Sequence, residues 1–574
     1  MASTEPVLLR YRSAFVKALA EALNTPVAEL DTQVKAADPQ HGDFSFPTFP
    51  LARALKKAPP AIAADLAGRV QVEGLEIAAT GPYLNARLSH LPFTREVLDD
   101  VAAQGEAWGG SRDGEGRTVV LDYSSPNIAK PIAFHHIRST VLGHALANLH
   151  RAHGWRVEGI NYLGDWGKQF GLVAVGFEAF GDPARKHDVR HLVEVYVAAN
   201  KRAKEDPAFD EQARDYFRRM EAGDEKALAL WKELREVSLA DFKKIYSRMG
   251  VHFEHYEGES FYQGRMEPVI DALREKPGVK TSEGALVVDL EFGENEPPML
   301  LKKSDGSTLY ATRDLATAID RWERFRFDRS LYVVATDQAL HFRQLFRVLG
   351  AMGKEWADRL HHVNFGRVGG QSTRKGNLTL LSEVFDEARD RALEKVRENQ
   401  AAGKLEAPDP EQLAEQIGIA AVFFGDLKNR RTTDYEFRLA DFLEFDGHTG
   451  PYLQYAHARA CNVLRRAGGR PATADAGRLT LPEEAALVRL VASFPVVTRD
   501  AVEQLEPSLV ARHLLEVAAA FSRWYTLGNQ DRSKRVLVED DADLRDARLL
   551  LVDATRATLA SGLKLLGIAT PETM

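Results

Sequence analysis

A single cysteine, Cys461, stands among 574 residues. That excludes an internal disulfide and any zinc site built from cysteines, and it fits a reducing, cytoplasmic setting. No apolar run approaches the roughly 20 residues that a membrane-spanning helix needs, so no membrane partner is expected. The opening MASTEPVLLRYRS lacks the basic, apolar and small-residue succession of a signal peptide. Positive charge is not in excess either. The formal net charge is −8, which gives no global signature of a nucleic-acid binder. Two local basic clusters stand out, KNRR at 428–431 and RRAGGR at 465–470, and most such runs are solvated helix faces.

What is present describes an ordinary globular chain, 44% hydrophobic and 28% charged. Its length is too great for one core, so about three or four domains are expected. Residues 1–112 read as a small α+β unit. A helix there carries Ala14, Val16, Leu19 and Leu23, and LEIAATGPYLNARLS alternates like two strands around Gly81-Pro82. A parallel-sheet pattern follows over 113–184. It has a short apolar strand at 119–123, a helix carrying Ile137, Val141, Ala145, Leu146 and Leu149 with Gly154 as its cap, and a second strand at 157–163. A charged helical insertion at 185–250 interrupts it. The pattern resumes over 251–405 with strands at 331–336 and 363–368, and Asp337 placed to cap the intervening helix. Residues 406–574 read as helices. Ser508 there is placed to cap one that carries Leu509, Leu514, Val517, Phe521 and Trp524.

Four stretches concentrate chemistry. After the first strand come Lys130, His135, His136, Arg138, Ser139 and Thr140. This is cationic and donor capacity at a helix N-terminus, where phosphate binds readily. The residues alone read equally well as a polar loop with locally satisfied histidines. GDWGKQFG at 164–171 follows a strand and suggests a tight turn near a ligand, or mere strand-to-helix punctuation. GGQSTRKGN at 369–377 offers Ser372, Thr373, Arg374 and Lys375 on a glycine-rich loop. Such a loop can close on a polyphosphate, and an exposed basic turn would look the same. In DGSTLYATRDL at 305–315, Tyr310 and Asp314 share a helix face. They suit a cation, although Asp314 could equally be a charge at the helix N-terminus or a partner of Arg321.

Read in order, SSPNIAKP…HIRST, NYLGDWGKQFG, GES, LYATRDLA, TDQALHFRQLF, STRKGN, TGPYLQYAHAR and the ending GLKLLGIATPETM resemble the arginyl-tRNA synthetases, class I aminoacyl-tRNA synthetases, over essentially the whole chain. The resemblance implies an α/β fold. A Rossmann-type doubly wound catalytic domain would carry a helical connective insertion. A small α+β N-terminal domain would contact tRNA, and an all-α C-terminal bundle would bind the anticodon. It implies activation of L-arginine by ATP, dependent on bound tRNA, and transfer of arginine to the terminal adenosine of tRNA-Arg, by positioning and electrostatics. Mg²⁺ would come with ATP, no zinc is implied, and a monomer is the family default.

Carried over residue by residue, Asn127 and Gln338 would hold the amino and carboxylate end of arginine. Tyr310, Asp314 and Glu259 would hold the guanidinium, with Asp122, Ser125 and His341 in a secondary place. His136, Ser139, Thr140, Ser372, Thr373 and Arg374 would bind ATP. Lys130, His135, His136, Arg374 and Lys375 would be catalytic. Asn85, Tyr452, Tyr455 and Met574 would meet tRNA. Two departures matter. The family's HxGH motif is Ala133, Phe134, His135 and His136 here, and the first lysine of its KMSKS-type motif is Gly370. A tRNA-binding paralogue without adenylation is therefore the alternative. The retained Lys130, His136, Asn127, Asp314, Gln338 and STRKG favour the enzyme. A third reading, another class I synthetase, is opposed by the Tyr310, Asp314 and Glu259 set.

Overall fold

The sequence TVVLD has no polar face until its final aspartate, as a strand covered by helices on both sides must. In the computed structural model it forms β1 (Thr118–Asp122) at the centre of a five-stranded sheet. The structure describes residues 5–38, 40–128, 130–185, 188–290, 296–304, 310–369, 379–403, 405–445 and 447–574. The chain leaves β1 through helix α1 (Ile137–Ala152) and continues to β2 (Arg156–Leu163) and β3 (His255–Gly258) on one side. It then returns through helix α2 (Tyr310–Phe325) to β4 (Arg329–Tyr332), helix α3 (Ala339–Ala351) and β5 (Leu360–His362) on the other. The order is β5-β4-β1-β2-β3, with every neighbouring pair parallel. Winding reverses between β1 and β4, where Asp122 lies opposite Tyr332. In such sheets ligands sit beyond the carboxyl ends of the strands at that reversal.

Gly154 closes α1 at φ +82°, and the Gly154 and Trp155 amides donate to the Arg151 and His150 carbonyls at 3.0 Å each. The insertion consists of three helices, Val189–Glu205, Pro207–Glu221 and Glu225–Met249. They are capped by the carboxylates of Asp188, Asp206 and Asp224 in turn. The N-terminal unit packs helix Val7–Leu23 with a four-stranded antiparallel sheet, one edge of which is a hairpin turning at Gly81. The C-terminal unit is built chiefly from helices Pro410–Leu427, α4 (Gly450–Arg466), Pro482–Glu503, α5 (Ser508–Gln530) and Ala542–Leu565. Among the described residues, no helix is long and apolar enough to cross a membrane.

Several local expectations fail. The strand expected at 331–336 ends at Tyr332, because the chain then turns into a 3-10 segment at Thr336–Gln338. The strand expected at 363–368 is divided. β5 ends at His362, Phe365 makes one isolated bridge to Ala335, and Val368–Gly369 pairs outside the sheet with Tyr435–Glu436. Residues 331–335 look like a strand because they are apolar, and 363–368 because Val363 and Phe365 alternate with polar or small residues, but ladder length is set by the neighbours rather than by the run itself. Asp337 caps nothing and takes the Arg367 guanidinium at 3.0 Å. Ser508 is already inside α5, after Pro507, and its hydroxyl accepts from Arg512 at 3.0 Å.

Candidate active site

The loop after β1 begins under strain. Ser124 and Ser125 have φ +71° and +42°, a region costing non-glycine residues about 1–3 kcal/mol each. Hydrogen bonds hold them there. The Ser124 amide donates to Ser139 Oγ at 2.9 Å, and the Ser124 hydroxyl lies 2.7 Å from both Thr140 Oγ1 and the Tyr246 hydroxyl. Ser125 Oγ donates to Asp122 at 2.9 Å. Asp122 is itself bound at 2.8 Å by the buried Arg321, whose guanidinium lies 5.4 and 5.6 Å from the Tyr162 and Tyr332 rings. Thus Arg321 serves Asp122, not Asp314. Asp122 and Ser125 shape the loop floor instead of presenting free groups to a ligand. Asn127, exposed on this loop, lies over Gly164, where a β-carbon would meet Asn127 Oδ1 at 1.9 Å. Gly164 is therefore needed for close approach. Gln338 is exposed at the end of β4's loop, across the winding reversal from Asn127.

The AFHH stretch is not helix. Ala133 is extended (φ −89°, ψ 162°), Phe134–His136 form a 3-10 turn, and α1 starts at Ile137. Ala133 bridges to Leu380, and the Phe134 amide donates to the Thr379 carbonyl at 2.9 Å. The first motif is thereby sewn to the residues that follow the QSTRKGN loop. Ser372, Thr373, Arg374 and Lys375 themselves lie outside the described residues. Phe134 is buried with its ring 4.6 Å from Phe437. The His135 backbone does not have positive φ, so a side chain replaces the usual glycine there without conformational cost. The His135 and His136 rings lie 4.1 Å apart, His135 exposed and His136 partly buried. Burial, then His135 and Lys130, push His136 down to about 4. It is neutral at pH 7, and Nδ1–H donates to the Ala133 carbonyl at 3.2 Å. Lys130 Nζ sits 4.9 Å from the Tyr196 ring of the insertion.

The hydroxyls of Ser139 and Thr140 are engaged within the protein. Ser139 Oγ donates to the Val333 carbonyl at 2.7 Å, and Thr140 Oγ1 donates to the His136 carbonyl at 2.8 Å. Both are buried, in the first turn of α1, and they tie α1 to the loops that follow β1 and β4.

A second cluster gathers around α2. Asp314 Oδ2 accepts from His341 Nε2 at 2.7 Å, and the Tyr310 and His341 rings lie 5.0 Å apart. Glu259, in the 3-10 turn after β3, pairs with Arg313 at 2.9 Å. Burial pushes Glu259 up to about 7, opposed by Arg313 and reinforced by Asp165 and Asp314. Asp165 is fully buried and anchors the turn, accepting from the Ser260 amide (2.8 Å), the Ser260 hydroxyl (2.9 Å) and Arg235 (2.8 Å). A β-carbon at Gly258 would strike it at 2.2 Å. The sequence showed Asp165 as turn punctuation and did not reveal Arg313; each lies inside a quoted motif, which was the available signal. Asp165→Ala strands Arg235 and frees the Glu259 turn. We expect a loss of about 3–5 kcal/mol of stability, read by thermal or urea melts.

The expected RNA-facing residues divide. Asn85 is only 3% exposed, in a strand of the N-terminal sheet paired on both sides, opposite Ser45 and Ala78. Tyr455 projects from α4, 38% exposed, with the Arg459 guanidinium 4.6 Å from its ring and 5.1 Å from that of Tyr525. Tyr452 is half-buried against the core. Met574 packs on the small cluster around Val396 and Ile417. In KNRR, Lys428 donates to the His448 carbonyl and Arg431 to the Asn364 carbonyl, so two of the four residues are structural.

Three family models match the chain: tRNA synthetases class I (R), catalytic domain, over residues 98–439; DALR anticodon binding domain over 453–574; and arginyl tRNA synthetase N terminal domain over 9–88. The arginine–tRNA ligase of Lactococcus lactis subsp. cremoris (strain SK11) is 43% identical over 542 residues, 93% of this chain and 94% of that one. That of Ligilactobacillus salivarius is 39% identical over 98% and 100%. The Thermus thermophilus arginyl-tRNA synthetase structure superposes with a TM-score of 0.82 at 26% identity, over 98% and 99% of the two chains. With the catalytic model matching more than half of the chain, and relatives this similar along nearly its full length, the protein belongs to the arginyl-tRNA synthetase family of class I aminoacyl-tRNA synthetases.

Proposed function

We propose that the chain is an active arginine–tRNA ligase, forming arginyl-adenylate and pyrophosphate from arginine and ATP and passing arginine to tRNA-Arg. The observation that carries this is the placement of two complementary clusters around one winding reversal. His135, His136 and Lys130 follow β1, on the phosphate side. Glu259, Asp314, Tyr310 and His341 make an acidic pocket suited to a guanidinium, whose planar fork of donors matches carboxylate oxygens. Asn127 and Gln338, from the loops of two adjacent strands, suit the amino and carboxylate ends. A paralogue that only bound tRNA would have no need of both.

No covalent intermediate is needed. The arginine carboxylate attacks the α-phosphorus of ATP, and pyrophosphate leaves with the bond's electrons. Lys130, the two histidines and the cations of the QSTRKGN loop counter the charge on the phosphates. Neutral His136 takes up a proton more readily as the triphosphate arrives beside it. Mg²⁺ would come with ATP, held chiefly by its phosphate oxygens, and would offset their charge. The division into residues 1–112, 113–184, 185–250, 251–405 and 406–574 gives the N-terminal, first catalytic, connective, second catalytic and anticodon-binding parts. The lone, buried Cys461 supports work in a reducing cytoplasm, and we take the working unit to be a monomer. Pyrophosphate exchange into ATP, with arginine and with or without tRNA-Arg, tests the function. Exchange that needs both arginine and tRNA is expected; none under any condition would return the chain to the paralogue reading.

For the tRNA, the exposed Tyr455, flanked by Arg459 and Tyr525, forms a stacking platform for an anticodon base. Tyr455→Ala is expected to cost about 1–3 kcal/mol of tRNA affinity with little change in melting temperature. Tyr452→Ala should lose stability as well, because its ring is part of the core. tRNA titrations beside thermal melts separate the two, and a Tyr455→Ala protein with undiminished tRNA affinity would remove Tyr455 from the interface.

A further inference from the structure

A guanidinium already occupies part of the pocket proposed for one. Arg313 lies one residue before Asp314 on α2 and pairs with Glu259 Oε1 at 2.9 Å, its side chain 14% exposed. Among the described residues its buried Nε has no hydrogen-bond partner, and the ion pair with Glu259 is what the structure shows holding it. We propose that Arg313 is a positioning residue for substrate arginine: it pairs with Oε1 of Glu259, holding a carboxylate that also takes the Trp166 amide, and sets the pocket's balance so that it accepts one additional cation. This rests on the guanidinium-pocket reading above.

The charges around Glu259 support that balance. Asp165 is already matched by Arg235 at 2.8 Å. Asp314, bound to His341, and Glu259 remain, two carboxylates against one substrate cation. Tyr162 contributes a neutral phenol, its ionisation opposed by burial and by Asp314 and Glu259. Glu221 approaches Arg313 from the insertion, its carboxyl raised by burial and lowered by Arg313. Without Arg313, one acidic group in the pocket would be surplus, and an unmatched carboxylate in a closed site takes up a proton. Glu259 is the group placed to do so, being raised to about 7 even with Arg313 beside it. The sign follows. Arginine binds the ionised carboxylate, so its affinity falls as pH drops through the Glu259 pKa, and removing Arg313 moves that pKa up.

The experiment is the KM for arginine in tRNA-dependent pyrophosphate exchange, from pH 6 to 9, with the KM for ATP as control. Arg313→Gln should raise the arginine KM about fivefold at pH 7 and about tenfold at pH 6, the effect of a rise of about one pKa unit from about 7, and recover toward the wild-type value at pH 9 with the ATP KM unchanged. Arg313→Lys, which restores the charge, should stay within about threefold of wild type, since one charge is retained. An arginine KM that is unchanged, lowered, or raised equally at every pH in Arg313→Gln overturns the proposal; a lowered KM would mean that Arg313 merely competes with substrate. If the glutamine variant does not fold, Arg313→Lys decides, and a loss that does not vary with pH overturns it. Glu259→Gln separates the two levels. If it leaves the arginine KM unchanged, the pocket reading itself fails. If it raises the KM while Arg313→Gln does not, only the role of Arg313 fails.

Discussion

Asp314→Asn is expected to weaken arginine by about 2–5 kcal/mol, roughly thirtyfold to a few thousandfold in KM, with ATP binding nearly unchanged. The size follows from what is left behind. His341 Nε2 holds Asp314 Oδ2 at 2.7 Å, which leaves Oδ1 as the acceptor for an incoming guanidinium. Asparagine keeps the shape, removes the charge, and turns one acceptor into an N–H group that faces a donor. The guanidinium would then be desolvated against a dipole instead of an anion, and Glu259, tied to Arg313, cannot supply both missing contacts. For the same reason the wild-type site should reject citrulline, whose neutral urea leaves a carboxylate unpaired. The variant should narrow that gap by losing arginine more than citrulline. Arginine and citrulline titrations in pyrophosphate exchange read both effects, and an unchanged arginine KM and kcat would remove Asp314 from the site.

Much of this arrangement was legible because local pattern and fold agree. The run at 119–123, the periodic residues of α1, Gly154 and the strand at 157–163 make a βαβ unit by themselves, and the structure has it. The ends of β4 were not legible, since Val333 to Ala335 are as apolar as the strand before them while their backbone partners belong to other elements. Ser139 and Thr140 show a different limit. Hydroxyls near a helix start suit phosphate, but these reach back to the Val333 and His136 carbonyls at 2.7 and 2.8 Å. Composition does not say which way a hydroxyl turns. Arg313 was hidden for a third reason: an arginine beside an aspartate reads as a solvated pair, and only the fold brings Glu259, more than fifty positions earlier, against it. Tyr310 and Asp314 were legible because helical spacing alone puts them on one face.

The altered loop yields the other large effect. His135→Ala is expected to lower kcat for adenylation by something like 10²-fold, the scale of one lost transition-state donor, with arginine affinity unchanged; His136→Ala should do at least as much. The family's first histidine position is Ala133 here, and the imidazole appears two residues later. On a regular α-helix two residues turn through about 200°, which would carry the new ring to the wrong side. The backbone removes that objection. Ala133 is extended, and the 3-10 turn begins only at Phe134. The bridge from Ala133 to Leu380 fixes this geometry against the far end of the QSTRKGN loop. His135 is exposed, with its ring 4.1 Å from that of His136. Burial and Lys130 hold His135 below its ordinary pKa, so it meets ATP as a neutral donor or gains its proton from the approach of the phosphates. If His135 faces solvent without touching ATP, its removal leaves His136 better able to protonate, and adenylation stays near normal. Single-turnover formation of arginyl-adenylate by the two alanine variants distinguishes the cases, and a normal rate in His135→Ala refutes the displaced imidazole while leaving the assignment to the family intact.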